Sequence, residues 1–419
     1  MGLLLALILG GVLVLVVANL TSSEKKIAHE IEHLYAIGDP QFERSMGMLL
    51  GPGILPGNRV TPLCNGDEIF PAMLAAIGEA RRTITFETFI YWSGSIGKAL
   101  SEAMAERARA GVKVHVLLDW VGSGKMDDAM LEDMERAGVE VVKYHPLHWY
   151  NLGRLNNRTH RKLLVVDGAI GFTGGVGIAD TWLGNAQDPD HWRDTHFRVE
   201  GPVVAQMQAA FMDNWIEERS EVLHGASYFP PLAPAGPHAA QLFKSSASEA
   251  SESVRLMYLL SISSAVKSVR IASAYFVPDS LSVATMAAAQ RRGVQVEIIV
   301  PGRHTDAHVV RRASWSRWGD LLEAGVAIHE YQPTMYHTKV MVVDDLWTSV
   351  GSTNFDNRSF RLNDEANLNI LDAEFAAGQA RLFEADKARS KQMTLEWWRG
   401  RPWHQKATEW LAGLVRSQL

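Results

Sequence analysis

The two halves of this 419-residue chain repeat one order of elements, and no other feature constrains the fold as strongly. Three segments of the first half recur in the second in the same order: residues 106–120 as 289–302, 134–146 as 321–333, and 158–175 as 335–352. In both copies, apolar β-branched runs alternate with amphipathic helices, which is typical of α/β layers with largely buried sheets. The repeat therefore predicts two similar α/β domains side by side, with a candidate site in the crevice where they meet.

The predicted domain boundaries follow the repeat and the local composition. Proline and small residues at 227–241 indicate a linker or a surface crossover between the halves. We predict the following division: a membrane anchor at 1–22, a juxtamembrane segment at 23–58, a first domain at 59–226, a linker at 227–242 and a second domain at 243–419. The second domain ends in a tail that combines tryptophans with basic residues, which suits either a headgroup layer or core packing.

The first residues are unusually apolar, since residues 2–18 carry no polar side chain. A helix of this length spans about 25 Å, close to the roughly 30 Å hydrocarbon core of a bilayer. No basic residue precedes the run, whereas Lys25 and Lys26 follow it, which predicts a single-pass anchor in the cell inner membrane with the domains on the cytoplasmic side. A cleaved signal peptide is the alternative, because Val16-Val17-Ala18 is an acceptable cleavage site.

Each half carries the same three polar residues in an apolar segment, with the spacing H-x-K-x4-D. The first set is His160, Lys162 and Asp167, and the second is His337, Lys339 and Asp344. Side chains alternate along a strand, so a His and a Lys two residues apart face the same way. A satisfied polar pair at a strand end would explain one copy, but not two copies in register with the repeat.

These residue types suit phosphoryl transfer without a metal or a cofactor. One neutral imidazole can attack phosphorus, and the other can protonate the leaving oxygen and later deprotonate an incoming alcohol. Two lysines can hold the non-bridging oxygens where negative charge accumulates. Gly174-Gly175 and Gly351-Ser352 follow the two motifs at the same spacing, and such turns let backbone N–H groups approach a phosphate.

With these paired motifs, the chain resembles the phospholipase D superfamily from about residue 60 to 400. Residues 351–370 (GSTNFDNRSFRLNDEANLNI) are similar to the bacterial cardiolipin synthase branch in particular. The resemblance implies two phospholipase D-like α/β/α domains with one shared active site. It also implies transfer of a phosphatidyl group from phosphatidylglycerol, through a phosphohistidine, to a second phosphatidylglycerol with release of glycerol. Phosphatidylethanolamine is a further candidate substrate, and the membrane is the expected partner.

The resemblance also implies a role for each site residue. His160 is the expected nucleophile, His337 the acid and base, and Lys162 and Lys339 the phosphate ligands. The supporting residues are Ser352, Asn354, Asp194 and Glu365. We expect the two acids to orient the histidines across the domain interface, Asp194 with His337 and Glu365 with His160. Asp167 and Asp344, although part of the catalytic motif, are expected to be more structural than chemical.

The first half departs from the family pattern at one position. Many relatives carry an asparagine shortly after each motif, as this chain does with Asn354, but Gly177 stands at the equivalent position of the first half. That half-site lacks an amide donor. We therefore expect the two half-sites to differ.

Other readings of the chain remain open. A phospholipase D hydrolase or an endonuclease would use the same residues, although a net charge of −6 argues against nucleic acid as a partner. A lipid-binding scaffold with a decayed site is a non-enzymatic alternative. The single cysteine, Cys64, excludes an internal disulfide. His29 and His33 form an H-E-x-x-H pattern, for which we expect a solvated juxtamembrane helix rather than a zinc site.

Overall fold

The structure of the chain, a computed structural model, describes residues 27–146, 157–246 and 252–414, together with residues 2, 10 and 11. The predicted membrane anchor at residues 1–22 lies outside the described residues, apart from those three glycines. Among the helices in the described ranges, none is both long enough and apolar enough to cross a membrane.

The first half alternates strands and helices in the predicted order. Its strands are β1 (Leu55–Cys64), β2 (Thr83–Thr88), β3 (Lys113–Asp119), β4 (Glu140–Tyr144), β5 (Arg158–Thr159), β6 (Leu163–Val166), β7 (Ile170–Gly174) and β8 (Thr195–Glu200). Its helices are α2 (Asn65–Glu79), α3 (Ser95–Arg109), α4 (Asp128–Arg136) and α5 (Val204–Arg219), and α1 (Pro40–Leu50) precedes them.

The second half follows the same plan with a longer C-terminus. Its strands are β9 (His238–Ser245), β10 (Ser268–Ser273), β11 (Phe276–Val277), β12 (Gln295–Pro301), β13 (Ala327–Tyr331), β14 (Lys339–Val343), β15 (Trp347–Gly351), β16 (Phe355–Asp356), β17 (Asn363–Leu371) and β18 (Ser390–Met393). Its helices are α6 (Ser253–Ser263), α7 (Ser280–Arg291), α8 (His308–Trp315), α9 (Trp318–Glu323), α10 (Asn357–Arg361), α11 (Ala373–Ala388), α12 (Leu395–Gly400) and α13 (Trp403–Leu414).

Four glycines end equivalent helices in the two halves, where the sequence repeat first becomes visible. Gly111 and Gly138 have φ values of 92° and 96°, and their partners Gly293 and Gly325 have values of 95° and 91°. Glycine adopts this left-handed backbone conformation without the steric penalty of other residues, so it stops a helix sharply. Each turn then leads directly into a strand: β3 and β4 in the first half, and β12 and β13 in the second.

One continuous sheet joins the halves. In the described residues it has 16 strands, in the order β18-β13-β12-β10-β14-β15-β17-β9-β1-β8-β7-β6-β2-β3-β4, with β5 pairing to β17 off this path. On either side of the central β9–β1 pair, equivalent strands of the two halves follow in the same order. By this order β1 corresponds to β9, β2 to β10 and β3 to β12. The strands β2, β3 and β4 are parallel, as are β10, β12 and β13. The two similar domains are thus related by an approximate two-fold axis at the middle of the sheet.

Helices cover both faces of this sheet, as an α/β/α architecture requires. In the first half, α2, α3 and α4 pack on one face around Phe86 and Val114. The opposite face is covered by α5, whose Phe211 and Trp215 pack in a cluster that also contains Leu368 of the second half. Strands buried on both faces are largely apolar, and all four residues of β6 (LLVV) are buried.

Residues 27–50 differ from the expected juxtamembrane segment. No helix forms over residues 27–38, so the helix expected for the H-E-x-x-H stretch is wrong. The His33 ring lies 2.8 Å from the carbonyl oxygen of Ser263, and Phe42 and Met46 of α1 are buried in the core of the second half. The predicted boundary at residue 59 falls inside β1, and β9 begins at His238, within the predicted linker. The reason is that both strands form the central pair of the sheet.

Candidate active site

Both histidine motifs lie at the same edge of the sheet, where the parallel strands β2 and β10 end. Lys339 opens β14 and pairs with Ser273, the last residue of β10. Lys162 directly precedes β6, whose first residue pairs with Glu87 near the end of β2. In open α/β sheets, ligands bind outside the carboxyl ends of the strands, and both motifs are placed there.

Backbone pairing across the domain interface brings the two halves of the site together. The backbone N–H of His160 donates to the carbonyl oxygen of Asp364 at 2.8 Å, and the N–H of His337 donates to that of Arg193, also at 2.8 Å. Asp364 directly precedes Glu365, and Arg193 directly precedes Asp194. Each histidine is therefore held in register with the acid of the opposite half.

The acids contact the histidines in the predicted crossed arrangement. Both carboxylate oxygens of Glu365 lie 3.1 Å from Nδ1 of His160, and Oδ2 of Asp194 lies 2.7 Å from Nδ1 of His337. An ionised carboxylate only accepts hydrogen bonds, so each Nδ1 carries the proton and each Nε2 keeps its lone pair when the ring is neutral. The two histidines thus have the tautomer in which Nε2 can attack or accept a proton.

The acids are themselves held by polar neighbours. Ser352 donates to Glu365 at 2.5 Å, and the Asn363 amide lies 3.4 Å from the same carboxylate. The indole of Trp182 donates to Asp194 at 3.0 Å. These hydrogen bonds hold the two carboxylates in place, and the carboxylates in turn orient the histidine rings.

Aromatic rings enclose the second half-site. The ring centroids of Trp182 and Trp192 lie 5.2 Å and 5.4 Å from that of His337. Phe89 makes a similar edge contact with His160 at 5.4 Å. The rings exclude water from the imidazoles, which strengthens every electrostatic interaction inside the site.

The two lysines are buried and close to the histidines. Lys162 donates to the carbonyl oxygen of His160 at 2.9 Å, and Lys339 donates to that of His337 at 2.7 Å. Burial, together with the charge of Lys339, lowers the pKa of Lys162 to about 7, and burial lowers that of Lys339 to about 8. Two ammonium groups held together without water form an unfavourable arrangement that a bound phosphate would relieve.

The same burial keeps both histidines neutral near pH 7. Burial lowers the pKa of His160 to about 4, against the opposing effect of the Glu365 carboxylate. Burial and the Lys339 ammonium lower the pKa of His337, although Asp194 opposes that shift. Burial alone would raise the pKa of Glu365, but His160 and Ser352 hold it at about 2. The site therefore pairs neutral imidazoles with ionised carboxylates.

The surroundings of the two histidine rings differ. Nζ of Lys339 lies 3.1 Å from Nδ1 and 3.2 Å from Nε2 of His337, so this ammonium contacts both nitrogens of the ring. Among the described residues, no hydrogen bond reaches Nε2 of His160. Nε2 of His160 is consequently the less crowded of the two.

The aspartates of the two motifs lie away from the histidines. The Asp167 carboxylate accepts the backbone N–H groups of Arg81, Arg82 and Thr83, at 3.0 Å, 2.7 Å and 2.9 Å. Asp344 binds residues 266–268 in the same way. Five residues of strand, or about 16 Å, separate each aspartate from its lysine. The structure therefore gives both residues a structural role at the opposite edge of the sheet.

The glycines after the motifs do not act as phosphate-binding turns. The N–H of Gly175 donates to the carbonyl oxygen of Thr195, and that of Ser352 donates to Ala366, each at 3.1 Å. A Cβ atom on Gly175 would lie 2.2 Å from a carboxylate oxygen of Asp194. The expected use of these amides is wrong, because sheet pairing already occupies them, and Gly175 instead leaves room for Asp194.

The departure at Gly177 has a steric cause. A Cβ atom there would lie 2.7 Å from Ile90 and 3.1 Å from the Trp182 ring. In the second half, Asn354 is buried and its backbone N–H donates to the Ser359 hydroxyl at 3.2 Å. No described residue donates a hydrogen bond to its side-chain oxygen. The Trp182 ring thus occupies the space that an amide side chain would need.

A buried ion pair beside the second histidine was not predicted from the sequence. Asp386 on α11 receives two N–H groups of Arg193, each at 3.1 Å, and the hydroxyl of Tyr336 at 3.1 Å. Arg193 and Tyr336 directly precede Asp194 and His337. In the sequence, Arg193 stands directly beside the predicted acid Asp194, which was the available signal. Its partner Asp386 lies 193 residues further along the chain, so only folding brings the two together.

The tryptophans of the C-terminal tail differ in how they pack. Trp397 and Trp398 pack against the core of the second half, whereas Trp403 is 80% exposed. In the described part of the chain, no cluster of three or more His, Cys, Asp or Glu side chains is arranged to hold a metal ion, and this includes the stretch around His33.

Comparison with known proteins places these features in a family. A model of the cardiolipin synthase phospholipase D-like domain matches residues 73–215 and 258–387. Cardiolipin synthase A of Pseudomonas fluorescens is 35% identical over 354 residues, which cover 84% of this chain and 73% of that protein. Cardiolipin synthase of Geobacillus kaustophilus is 35% identical over 360 residues, covering 85% of this chain and 72% of that protein.

A solved structure supports the fold independently. Phosphatidylserine synthase of Haemophilus influenzae aligns with 91% of this chain and 100% of its own, with a TM-score of 0.69 and 14% sequence identity. At that identity the likeness concerns the fold alone. The sequence matches show that the chain is a phosphatidyltransferase enzyme that belongs to the phospholipase D superfamily, in its cardiolipin synthase branch.

Proposed function

We propose that the chain joins two phosphatidylglycerol molecules into cardiolipin through a phosphohistidine intermediate. The observation that carries the proposal is the pair of neutral histidines, each held at Nδ1 by an acid of the opposite domain. Two imidazoles oriented in this way can supply one nucleophile and one group that donates and accepts a proton. Relatives that are 35% identical to this chain are cardiolipin synthases, which favours lipid as the donor and as the acceptor.

In the first step, Nε2 of His160 attacks the phosphorus of one phosphatidylglycerol. His337 enters this step protonated at both ring nitrogens, after it has taken up one proton from solvent. The bond from phosphorus to the glycerol oxygen breaks, and that oxygen takes the Nε2 proton of His337, so that glycerol leaves. Lys162 and Lys339 stabilise the charge on the non-bridging oxygens. Asp194 stabilises the protonated form of His337 that this step requires, because it accepts the Nδ1 proton at 2.7 Å.

In the second step, the glycerol hydroxyl of another phosphatidylglycerol attacks the phosphohistidine. His337 removes the hydroxyl proton, the nitrogen–phosphorus bond of His160 breaks, and cardiolipin is released. His160 is assigned as the nucleophile because no described residue binds its Nε2, whereas Lys339 lies 3.2 Å from Nε2 of His337. Phosphatidylethanolamine is a candidate alternative lipid in this scheme.

We place the enzyme at the cell inner membrane, with residues 1–22 as a single anchor and both domains on the cytoplasmic side. The apolar run at residues 2–18 and the lysines that follow it support this placement.

The test is a product assay with the purified protein and phosphatidylglycerol in mixed micelles. We expect cardiolipin and free glycerol in equal amounts, resolved by thin-layer chromatography and mass spectrometry. His160→Ala and His337→Ala should each abolish both products. Phosphatidic acid without cardiolipin would replace the proposal with a hydrolase, and binding without turnover would replace it with a scaffold.

The intermediate can be tested separately with phosphatidylglycerol labelled at phosphorus. Rapid quenching should leave label on the protein in an acid-labile, base-stable form, and the label should map to His160. Label on the peptide that contains His337 would reverse the assignment of the two histidines.

A further inference from the structure

Three exposed apolar side chains lie at the edge of the sheet that carries the histidines. Trp120 is 38% exposed and Val121 is 54% exposed, directly after β3, and Val309 is 54% exposed near the start of α8, after β12. The strands β3 and β12 hold the same position in the two halves. Their following loops are therefore equivalent by the two-fold relation and flank the site on both sides.

The first loop, residues 120–125, contacts the His160 half-site. The N–H of Thr159, the neighbour of His160, donates to the carboxylate of Asp119 at 3.2 Å. A Cβ atom on Gly122 would lie 2.1 Å from the carbonyl oxygen of Phe89, whose ring contacts His160. The loop thus borders the opening of the site, with Trp120 and Val121 turned to solvent.

The second loop, residues 302–309, is tied to the other half-site. Asp306 accepts the hydroxyl of Tyr275 at 2.6 Å. The carbonyl oxygen of Tyr275 accepts the N–H of Phe355 at 3.0 Å, and Phe355 directly follows Asn354. Val309 is therefore carried by a loop that is anchored to the second half-site.

Cations accompany the apolar side chains on both loops. Lys125 is exposed, and its ammonium lies 3.9 Å from the Trp92 ring centroid. Arg303 and Arg312 are exposed beside Val309, while the acidic Asp306 is already bound by Tyr275. Exposed tryptophan and aliphatic groups among basic side chains suit the surface of an anionic bilayer, where the cations meet headgroups and the apolar groups enter below them.

Ile27, where the main described range of the chain begins, is bound to the fold at this same edge. The N–H of Ile27 donates to the Glu252 carboxylate at 2.5 Å, and Arg255 donates to the Ile27 carbonyl oxygen at 2.9 Å. Glu252 also lies 3.6 Å from Arg361, at the end of the helix that leads into β17 and Glu365. An anchor at residues 2–18 would consequently hold the site edge, and not the opposite edge, towards the bilayer.

We propose that the loops at residues 120–125 and 302–309 are a two-point docking surface for an anionic lipid bilayer, with Trp120, Val121 and Val309 entering the headgroup layer. The inference rests on the proposed lipid function, because docking at this edge would place both half-sites against the phosphates of the substrate. The two-fold relation explains why the surface has two points, since each domain contributes one loop.

A matched control lies at the opposite edge of the sheet. Val266 precedes β10, is 54% exposed like Val121 and Val309, and its N–H binds Asp344 far from the histidines. Docking through the site edge leaves this valine in water.

The direct test is a fluorescence measurement on the full-length chain with Cys64, its single cysteine, replaced by serine. Val121→Cys, Val309→Cys and Val266→Cys are each labelled with an environment-sensitive probe and mixed with phosphatidylglycerol vesicles. We expect emission from positions 121 and 309 to shift to the blue and increase about twofold or more, as for transfer from water to an apolar layer. Emission from position 266 should not change. No shift at positions 121 and 309, or an equal shift at position 266, would overturn the proposal.

A second measurement separates docking from catalysis. The triple variant Trp120→Ser, Val121→Ser, Val309→Ser should lose about tenfold in kcat/KM on vesicles, as expected when interfacial burial is lost. On monomeric short-chain phosphatidylglycerol it should retain wild-type activity, as should Val266→Ser on both substrates. Equal losses on both substrates would assign the side chains to the site itself and contradict docking. If the wild type forms no cardiolipin from either substrate, the proposed function fails, while the fluorescence result still decides the docking surface.

Discussion

Asp194 and His337 lie 143 residues apart in different domains, yet Oδ2 of the carboxylate lies 2.7 Å from Nδ1 of the imidazole. The reciprocal pair, Glu365 and His160, crosses the interface in the opposite direction. Neither domain therefore contains a complete histidine–acid pair. The crossed arrangement explains why two copies of a small α/β unit make one site instead of two.

The acid that holds the proposed nucleophile should control its tautomer. In Glu365→Gln, the amide can donate to Nδ1 of His160, which moves the ring proton to Nε2 and removes the attacking lone pair. We expect kcat to fall by about 10³-fold or more with the fold intact, as when a histidine-orienting carboxylate becomes an amide. The measurement is steady-state cardiolipin formation, with thermal unfolding to check the fold.

A matched control for that variant is Asp364→Asn, one residue earlier. The Asp364 carboxylate accepts the hydroxyl of Tyr144, and its backbone carbonyl oxygen accepts the N–H of His160. Activity should stay within about tenfold of the wild type, since the substitution leaves the backbone hydrogen bond to His160 in place. A loss in Asp364→Asn as large as in Glu365→Gln would argue against tautomer control.

The aspartates of the two motifs should matter for stability and not for turnover. Asp167→Asn weakens three hydrogen bonds to backbone N–H groups, and asparagine tolerates the positive φ of 54° at this position. We expect a loss of about 1–2 kcal/mol in the free energy of unfolding, because charged acceptors contribute more than neutral ones. Turnover per folded molecule should stay within about twofold of the wild type. A large drop in kcat with unchanged stability would return Asp167 to the chemistry.

The buried ion pair beside His337 should position that histidine. Asp386→Asn weakens the ion pair with Arg193. The carbonyl oxygen of Arg193 accepts the backbone N–H of His337, so a displaced Arg193 would displace this histidine. We expect kcat to fall about tenfold with little change in KM, because misplacing a proton-transfer group affects the chemical step more than binding. Tyr336→Phe removes one hydrogen bond to Asp386 and keeps the Arg193 pair, so it should cost less than about threefold. A fall in kcat that disappears once activity is expressed per folded molecule, with the folded fraction taken from circular dichroism, would indicate a general loss of structure instead.

The buried lysines should lower the stability of the ligand-free protein. Lys162→Met keeps the hydrocarbon chain and removes an ammonium that is 2% exposed, so we expect no activity but about 1–4 kcal/mol more stability near pH 7. The pKa of Lys162 is about 7 in the folded protein and 10.5 in a free side chain, so between these values only the unfolded wild type binds the proton. Wild-type stability therefore rises with pH in this window through Lys162, and the advantage of the methionine variant shrinks. Urea unfolding of both proteins at pH 7 and pH 9 measures the difference, and an advantage that grows with pH would contradict this explanation.

Much of the architecture follows from local patterns that need no tertiary information. Gly111, Gly138 and their equivalents mark helix ends by a backbone conformation that only glycine adopts readily, and the apolar runs after them predict buried strands. The repeat then gives two similar domains, and the doubled motif gives the superfamily. The packing of residues 27–50 on the second half could not be predicted, because a short segment carries no mark of the distant surface that it covers.

The sequence by itself determined the family, the two similar domains and the histidine, lysine and acid residues of the site, because these depend on residue identity and spacing along the chain. Tertiary structure decided which acid contacts which histidine and which side chains pair across the domain interface. The continuous sheet through β1 and β9 sets one domain against the other, and that register places Asp194 on His337 and Asp386 on Arg193. It also commits the Asp167 carboxylate and the amide of Gly175 to hydrogen bonds with backbone groups, because strand length and sheet pairing are properties of the fold.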